Sequence, residues 1–156
     1  MKVVFLDFDG VLNSAAFFGA GPHQLGDLDP VAVARLNHLV ARSGARVVVS
    51  SAWRLQCSPT ELEARLAAQG YLDGLLGVTP TVPLDATASV WSLPRCAEIR
   101  AWLAARPEPP THFVILDDAP LSPTELAELQ PCFVRTDDAH GLRDEDVEAA
   151  LRILEA

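Results

Sequence analysis

Lysine is almost missing from this chain of 156 residues: Lys2 stands alone among 12 basic residues, which face 21 acidic ones and leave a net charge of −9. A surface so acidic repels polyanions unless arginines gather locally, so the composition argues against broad electrostatic binding of nucleic acid. Cysteine is scarce as well. Cys57, Cys96 and Cys132 are odd in number, scattered and free of any C-x-x-C pairing, a pattern that supports neither a disulfide framework nor a thiolate zinc site. Long apolar runs are also lacking, since residues 3–6 and 113–116 fall far short of the roughly 18 residues that a membrane span requires. The opening run is cut by Asp7 and Asp9 before an export signal is complete, and a cytoplasmic protein is expected. What remains is 49% hydrophobic and 21% charged, the profile of one compact domain over residues 1–156, with no repeat and no interdomain linker.

Residues 2–8 (KVVFLDF) form a β-branched apolar run that ends in charge and glycine, as a buried parallel strand does on reaching solvent. Asp29-Pro30 supplies an N-cap followed by proline at the first helical position, and Val33, Leu36, Leu39 and Val40 recur at helical spacing until Gly44. Residues 46–50 (RVVVS) predict a second strand. Ser58-Pro59-Thr60-Glu61 is a capping box that opens a helix with Leu62 and Leu66 inward and Gly70 as its stop. A weak strand is expected near 75–78, a helix from Pro94 with Ile99, Trp102 and Leu103 on one side, and a strand over 112–116 ending in Asp117-Asp118. A second capping box at Ser122-Pro123-Thr124-Glu125, a short strand over 132–135 and a helix from about Asp144 complete the pattern. Strands that alternate with helices predict an α/β fold: a doubly wound, open parallel sheet of about five strands with helices on both faces.

Ligands of such a sheet bind beyond the carboxyl ends of its strands. Those ends carry Asp7 and Asp9, then Ser50 and Ser51 with Arg54 just after, then Asp117 and Asp118. Four carboxylates held close raise one another's pKa unless a cation intervenes. Oxygen-only ligation, without cysteine or clustered histidine, favours a hard ion, and Mg²⁺ with a substrate phosphate fits best.

The order of these pieces resembles the haloacid dehalogenase (HAD) superfamily of phosphohydrolases over nearly the whole chain. Asp7-Phe8-Asp9-Gly10-Val11 is similar to its first motif, D-x-D-G-[VT], which implies Asp7 as nucleophile and Asp9 as general acid and base. The resemblance further implies Ser50 or Ser51 as the phosphate-binding hydroxyl, Arg95 in place of a basic residue that is usually lysine, and Asp117 and Asp118 as metal ligands beside Asp7 and Asp9. Gly10 lets the backbone turn sharply beside the phosphate, and Arg54 competes with Arg95 for the basic duty. The second aspartate favours phosphate over carbon–halogen substrates, because dehalogenases of the superfamily lack it. DFDGVLN, SSAWR, the helix with Glu98-Ile99 and Trp102-Leu103, ILDD, Arg135-Thr136 and Gly141-Leu142 also resemble a narrower branch, the HAD domain of multidomain RNA-repair proteins.

These signals imply a Mg²⁺-dependent phosphomonoester hydrolase whose substrate is a nucleic-acid end, a nucleotide or a small metabolite. The alternative from another class is a non-catalytic binding module on the same fold. Plainer readings stand beside each residue: the serines could cap a helix, the aspartates could form turns, and the arginines could lie on the surface. Trp53, Trp91 and Trp102 suit core packing better than stacking on a base, and His23 suits a solvated loop. Asp137-Asp138 reads as a turn and Asp144-Glu145-Asp146 as the first turn of a helix. Access to the rim falls to residues 13–28 and 79–93, both too short for a separate cap domain.

Overall fold

The computed structural model describes residues 1–83, 94–121, 125 and 128–156. Five strands, β1 (Lys2–Leu6), β2 (Arg46–Val49), β3 (Leu75–Val78), β4 (His112–Asp117) and β5 (Phe133–Arg135), pair in parallel in the order β3-β2-β1-β4-β5. Helices bounded within the described residues are α1 (Ala15–Gly19), α2 (Pro30–Ser43), α3 (Pro59–Ala68), α4 (Arg95–Ala104) and α5 (Asp144–Glu155). This is the α/β sheet that the alternation predicts.

The apolar run of β1 lacks alternation because both of its faces are covered. Val4, Leu6 and Phe8 enter a core with residues of α2, α3 and α5, while Val3 and Phe5 enter a second core with Ile99 and Trp102 of α4. Trp102 meets Phe5 edge to face at 5.3 Å, which places it in the core. Caps set the helix limits as expected. The Asp29 carboxylate accepts from the Val31 N–H at 2.9 Å, Gly44 closes α2 at φ +69°, and the Ser58/Glu61 capping box is fully formed.

The structure also differs from the sequence reading. Strand β1 ends at Leu6 rather than residue 8, although the Asp7 N–H still donates to Leu116 O at 3.0 Å. Strand β2 ends before Ser50, and β5 starts at Phe133 because Gln130–Cys132 form a 3-10 turn. Residues 13–28 hold the unexpected helix α1, capped by the Ser14 hydroxyl, which accepts from the Phe17 N–H at 3.1 Å. Residues 122–124 of the second capping box, and residues 84–93 of the long connection including Trp91, lie outside the described residues.

From β1 the chain builds outward through β2 and β3, then crosses back to add β4 and β5 on the other side of β1. Strand order therefore reverses between β1 and β4, and the crevice at that reversal opens at their carboxyl ends. Asp7 and Asp117 stand on its two lips. Among the described residues no helix is long and apolar enough to cross a membrane.

Candidate active site

Asp7 follows the last residue of β1 and Asp117 ends β4, adjacent strands in register, so their carboxyl groups meet by construction. Each of Asp7, Asp117 and Asp118 offers a carboxylate oxygen within 4.8 Å of the others, and the first two residues are buried. Backbone bonds brace the cluster. The Thr136 N–H donates to Asp117 O at 3.0 Å, its hydroxyl to Gly10 O at 2.8 Å, and the Ala119 N–H to Asp117 Oδ1 at 2.9 Å. Gly10 sits at φ +78°, and a Cβ there would fall 2.8 Å from the Asp118 Cβ and nearer still to its carboxyl group. Glycine at this position thus lets the first and fourth strand tips close on each other.

Burial governs the electrostatics. It pushes the Asp7 carboxyl above its ordinary range, and the Arg95 guanidinium pulls it back most strongly. Burial and then the neighbouring Asp7 charge drive Asp117 up to about 7, while Asp118 is raised chiefly by burial. Arg95, the first residue of α4, sends Nη1 to 3.3 Å from Asp7 Oδ1 and 3.8 Å from Asp117 Oδ2, and donates to Ser50 O. Fully ionised, three carboxylates against one guanidinium would carry an excess of two negative charges in a poorly solvated place. All-oxygen donors of that charge and spacing fit a hard dication such as Mg²⁺.

The serine pair divides its work. The Ser51 hydroxyl is fully buried, supports the Asp7 carboxylate and accepts from the Trp53 N–H at 3.3 Å. The Ser50 hydroxyl is buried with no partner among the described residues, a donor left over at the edge of an anionic site.

Two expected residues lie elsewhere. The Asp9 carboxylate is not part of the three-acid cluster: Asn13 Nδ2 donates to its Oδ1 at 2.9 Å and Trp53 Nε1 to its Oδ2 at 2.9 Å. Those two donors occupy its carboxylate, and it is not one of the three acids that the structure brings together. Arg54 is the second correction. Its side chain is 2% exposed and ion-pairs through Nη2 with Glu98 Oε1 at 2.5 Å, with further bonds to Thr79 O at 3.0 Å and Ser51 O at 2.7 Å. With its guanidinium so occupied beneath the rim, it has no fork to offer a substrate.

Asn13, Trp53 and Thr136 shape the site without having been read as functional. Asn13 also accepts from the Gly10 N–H at 3.0 Å, locking the turn that carries Asp9. Trp53 packs on Phe8 at 5.1 Å between ring centroids, as its expected core role requires, but its N–H also serves Asp9. The sequence signal is their place within DFDGVLN, SSAWR and Arg135-Thr136.

A parallel sheet with acids at its switch point, a serine-bearing second strand tip and a cation from the first residue of α4 together define a HAD-type domain. The chain belongs to the family described as the HAD domain in Swiss Army Knife RNA repair proteins, whose model matches residues 3–147. That membership points to a hydrolase of the phosphatase type. No curated protein and no solved structure matches the chain.

Proposed function

We propose that residues 1–156 form one Mg²⁺-dependent phosphomonoester hydrolase that works through an aspartyl-phosphate on Asp7. The observation that carries this reading is the buried Asp7 carboxylate, held between Arg95 and the Asp117/Asp118 pair at the mouth of the crevice. A carboxylate oxygen of Asp7 would attack phosphorus in line as the bond from phosphorus to the leaving oxygen breaks, with Asp9 giving that oxygen a proton. Water would then attack the phosphorus of the acyl phosphate, Asp9 taking its proton, so that inorganic phosphate leaves and Asp7 is restored. Arg95 and the unpartnered Ser50 hydroxyl would hold the nonbridging oxygens, a preorganised field of the kind that carries most of phosphoryl transfer. Mg²⁺, held by Asp7, Asp117 and Asp118, would supply positive charge to the phosphate oxygens and relieve repulsion among the acids.

Substrates on this reading are phosphorylated: nucleic-acid ends, nucleotides or small metabolites. The excess of acidic residues stands against bulk nucleic-acid binding. The test is release of p-nitrophenol from p-nitrophenyl phosphate with Mg²⁺ and after chelation. Turnover that needs Mg²⁺ and vanishes in Asp7→Asn supports the hydrolase. A folded protein that turns over no phosphomonoester with any divalent metal would mark a binding module instead.

A further inference from the structure

The Asp9 carboxylate opens onto a cavity of about 430 Å³ that the chemistry above leaves without an assignment. A general acid must touch the leaving oxygen, so the group being freed lies on the Asp9 side of the phosphate. The walls of this cavity then decide which alcohols suit. Asp9 and Gln56 are polar parts of its lining. The rest of the lining is largely apolar and aromatic: Trp53, whose N–H reaches Asp9, Phe18 of α1, and Leu25 from the segment between α1 and α2, which is 96% exposed. The Arg65 guanidinium lies 5.7 Å from the centroid of the Trp53 ring, a cation over an aromatic face. Indole, phenyl and guanidinium planes in one small hollow are the surfaces on which flat heteroaromatic rings stack. A volume of 300–1,000 Å³ is about what small-ligand sites occupy. A second rim cavity, of about 590 Å³, differs in kind: Asp118, Asp137 and Asp138 line it with Arg135 and Arg143, and among the described residues no aromatic side chain does.

We propose that the hollow formed by Asp9, Phe18, Leu25, Trp53 and Arg65 is the leaving-group subsite and takes a flat, nucleobase-like ring carried by the alcohol that is freed. The polar side chains receive the sugar and the aromatic walls the ring, so substrates of the nucleotide class are preferred over ringless sugar phosphates. This rests on the phosphohydrolase reading for Asp9, but stacking in the hollow can be measured without turnover. The experiment is a calorimetric titration of the full-length Asp7→Asn protein, with Mg²⁺, using adenosine 5′-monophosphate, adenosine 3′-monophosphate and, as the ringless reference, ribose 5-phosphate. At least one nucleotide should bind about tenfold or more tighter than ribose 5-phosphate, the scale of one stacked base. The Phe18→Ala/Arg65→Ala variant, checked for an unchanged thermal unfolding profile, should bring that ratio near one. Equal affinities at the outset, or a preference that survives in the variant, would overturn the subsite. Loss of all turnover in the wild-type protein would count against the hydrolase reading alone, since the affinity ratio judges the hollow separately.

Discussion

Arg54 and Arg95 both hold buried acids at one edge of the sheet, yet they do opposite jobs. Arg54 and Glu98 neutralise each other one to one, at 2% and 1% side-chain exposure, and Arg54 spends its remaining donors on carbonyls that follow β2 and β3. Arg95 is 17% exposed and serves two carboxylates of three, so charge remains uncompensated around it. A balanced, enclosed pair is structural, and its net worth is small although breaking it is costly. An unbalanced, accessible cluster stores electrostatic strain that a dication and a phosphate can relieve together. The type of residue was the same in both places; its surroundings set the role.

The largest effect that sharpens this contrast is chemical. Asp7→Asn should lower phosphatase turnover on the order of 10³-fold or more while leaving thermal unfolding unchanged or slightly raised, because a buried charge disappears without breaking the fold. Next comes the closed pair. Arg54→Ala should cost about 3–5 kcal/mol of unfolding free energy by leaving Glu98 alone and buried, and Arg54→Met/Glu98→Leu should recover most of it, as read by denaturant melts. If Arg54→Ala instead left stability intact and abolished turnover, the two arginines would have been assigned the wrong way round.

A third expectation concerns pH. Asp117 is raised to about 7 in the folded protein without metal, against about 3.9 when unfolded. The folded state thus keeps a proton that the unfolded chain has released, and stability falls as pH climbs from about 4 to about 7 and stays low above that. Melting temperatures in chelator should decline across this window. Added Mg²⁺ should raise them more at pH 7.5 than at pH 5, because protons and metal compete for the same oxygens. The smallest effect is at Trp53. Trp53→Phe keeps a ring against Phe8 but removes the donor to Asp9, and kcat should drop by about tenfold with little change in melting temperature.

The sheet was legible because strands covered on both faces read as unbroken apolar runs, and because Asp29-Pro30 and Ser58-Pro59-Thr60-Glu61 signal helix starts through local hydrogen bonds. Strand ends were overrun where Phe8 stays apolar and buried after pairing with the sheet has stopped. Helix α1 escaped notice since five residues are too few to display a helical period. The acids at the strand tips were foreseen, for topology alone brings β1 and β4 together. The Arg54–Glu98 pair was not, because it depends on where α4 packs on the sheet, and no local pattern in the sequence encodes that. Asp9 was grouped with its neighbours by spacing, whereas the donors from Asn13 and Trp53 set the direction of its carboxylate.

The most direct test of the central claim is to mix the protein with p-nitrophenyl phosphate and Mg²⁺, quench in acid within a turnover, and map phosphorylation by peptide mass spectrometry. A phosphoryl group on the peptide that carries Asp7, absent from the Asp7→Asn protein, is the predicted result. Hydrolysis that continues in Asp7→Asn, or an adduct on a serine or histidine elsewhere, would contradict it.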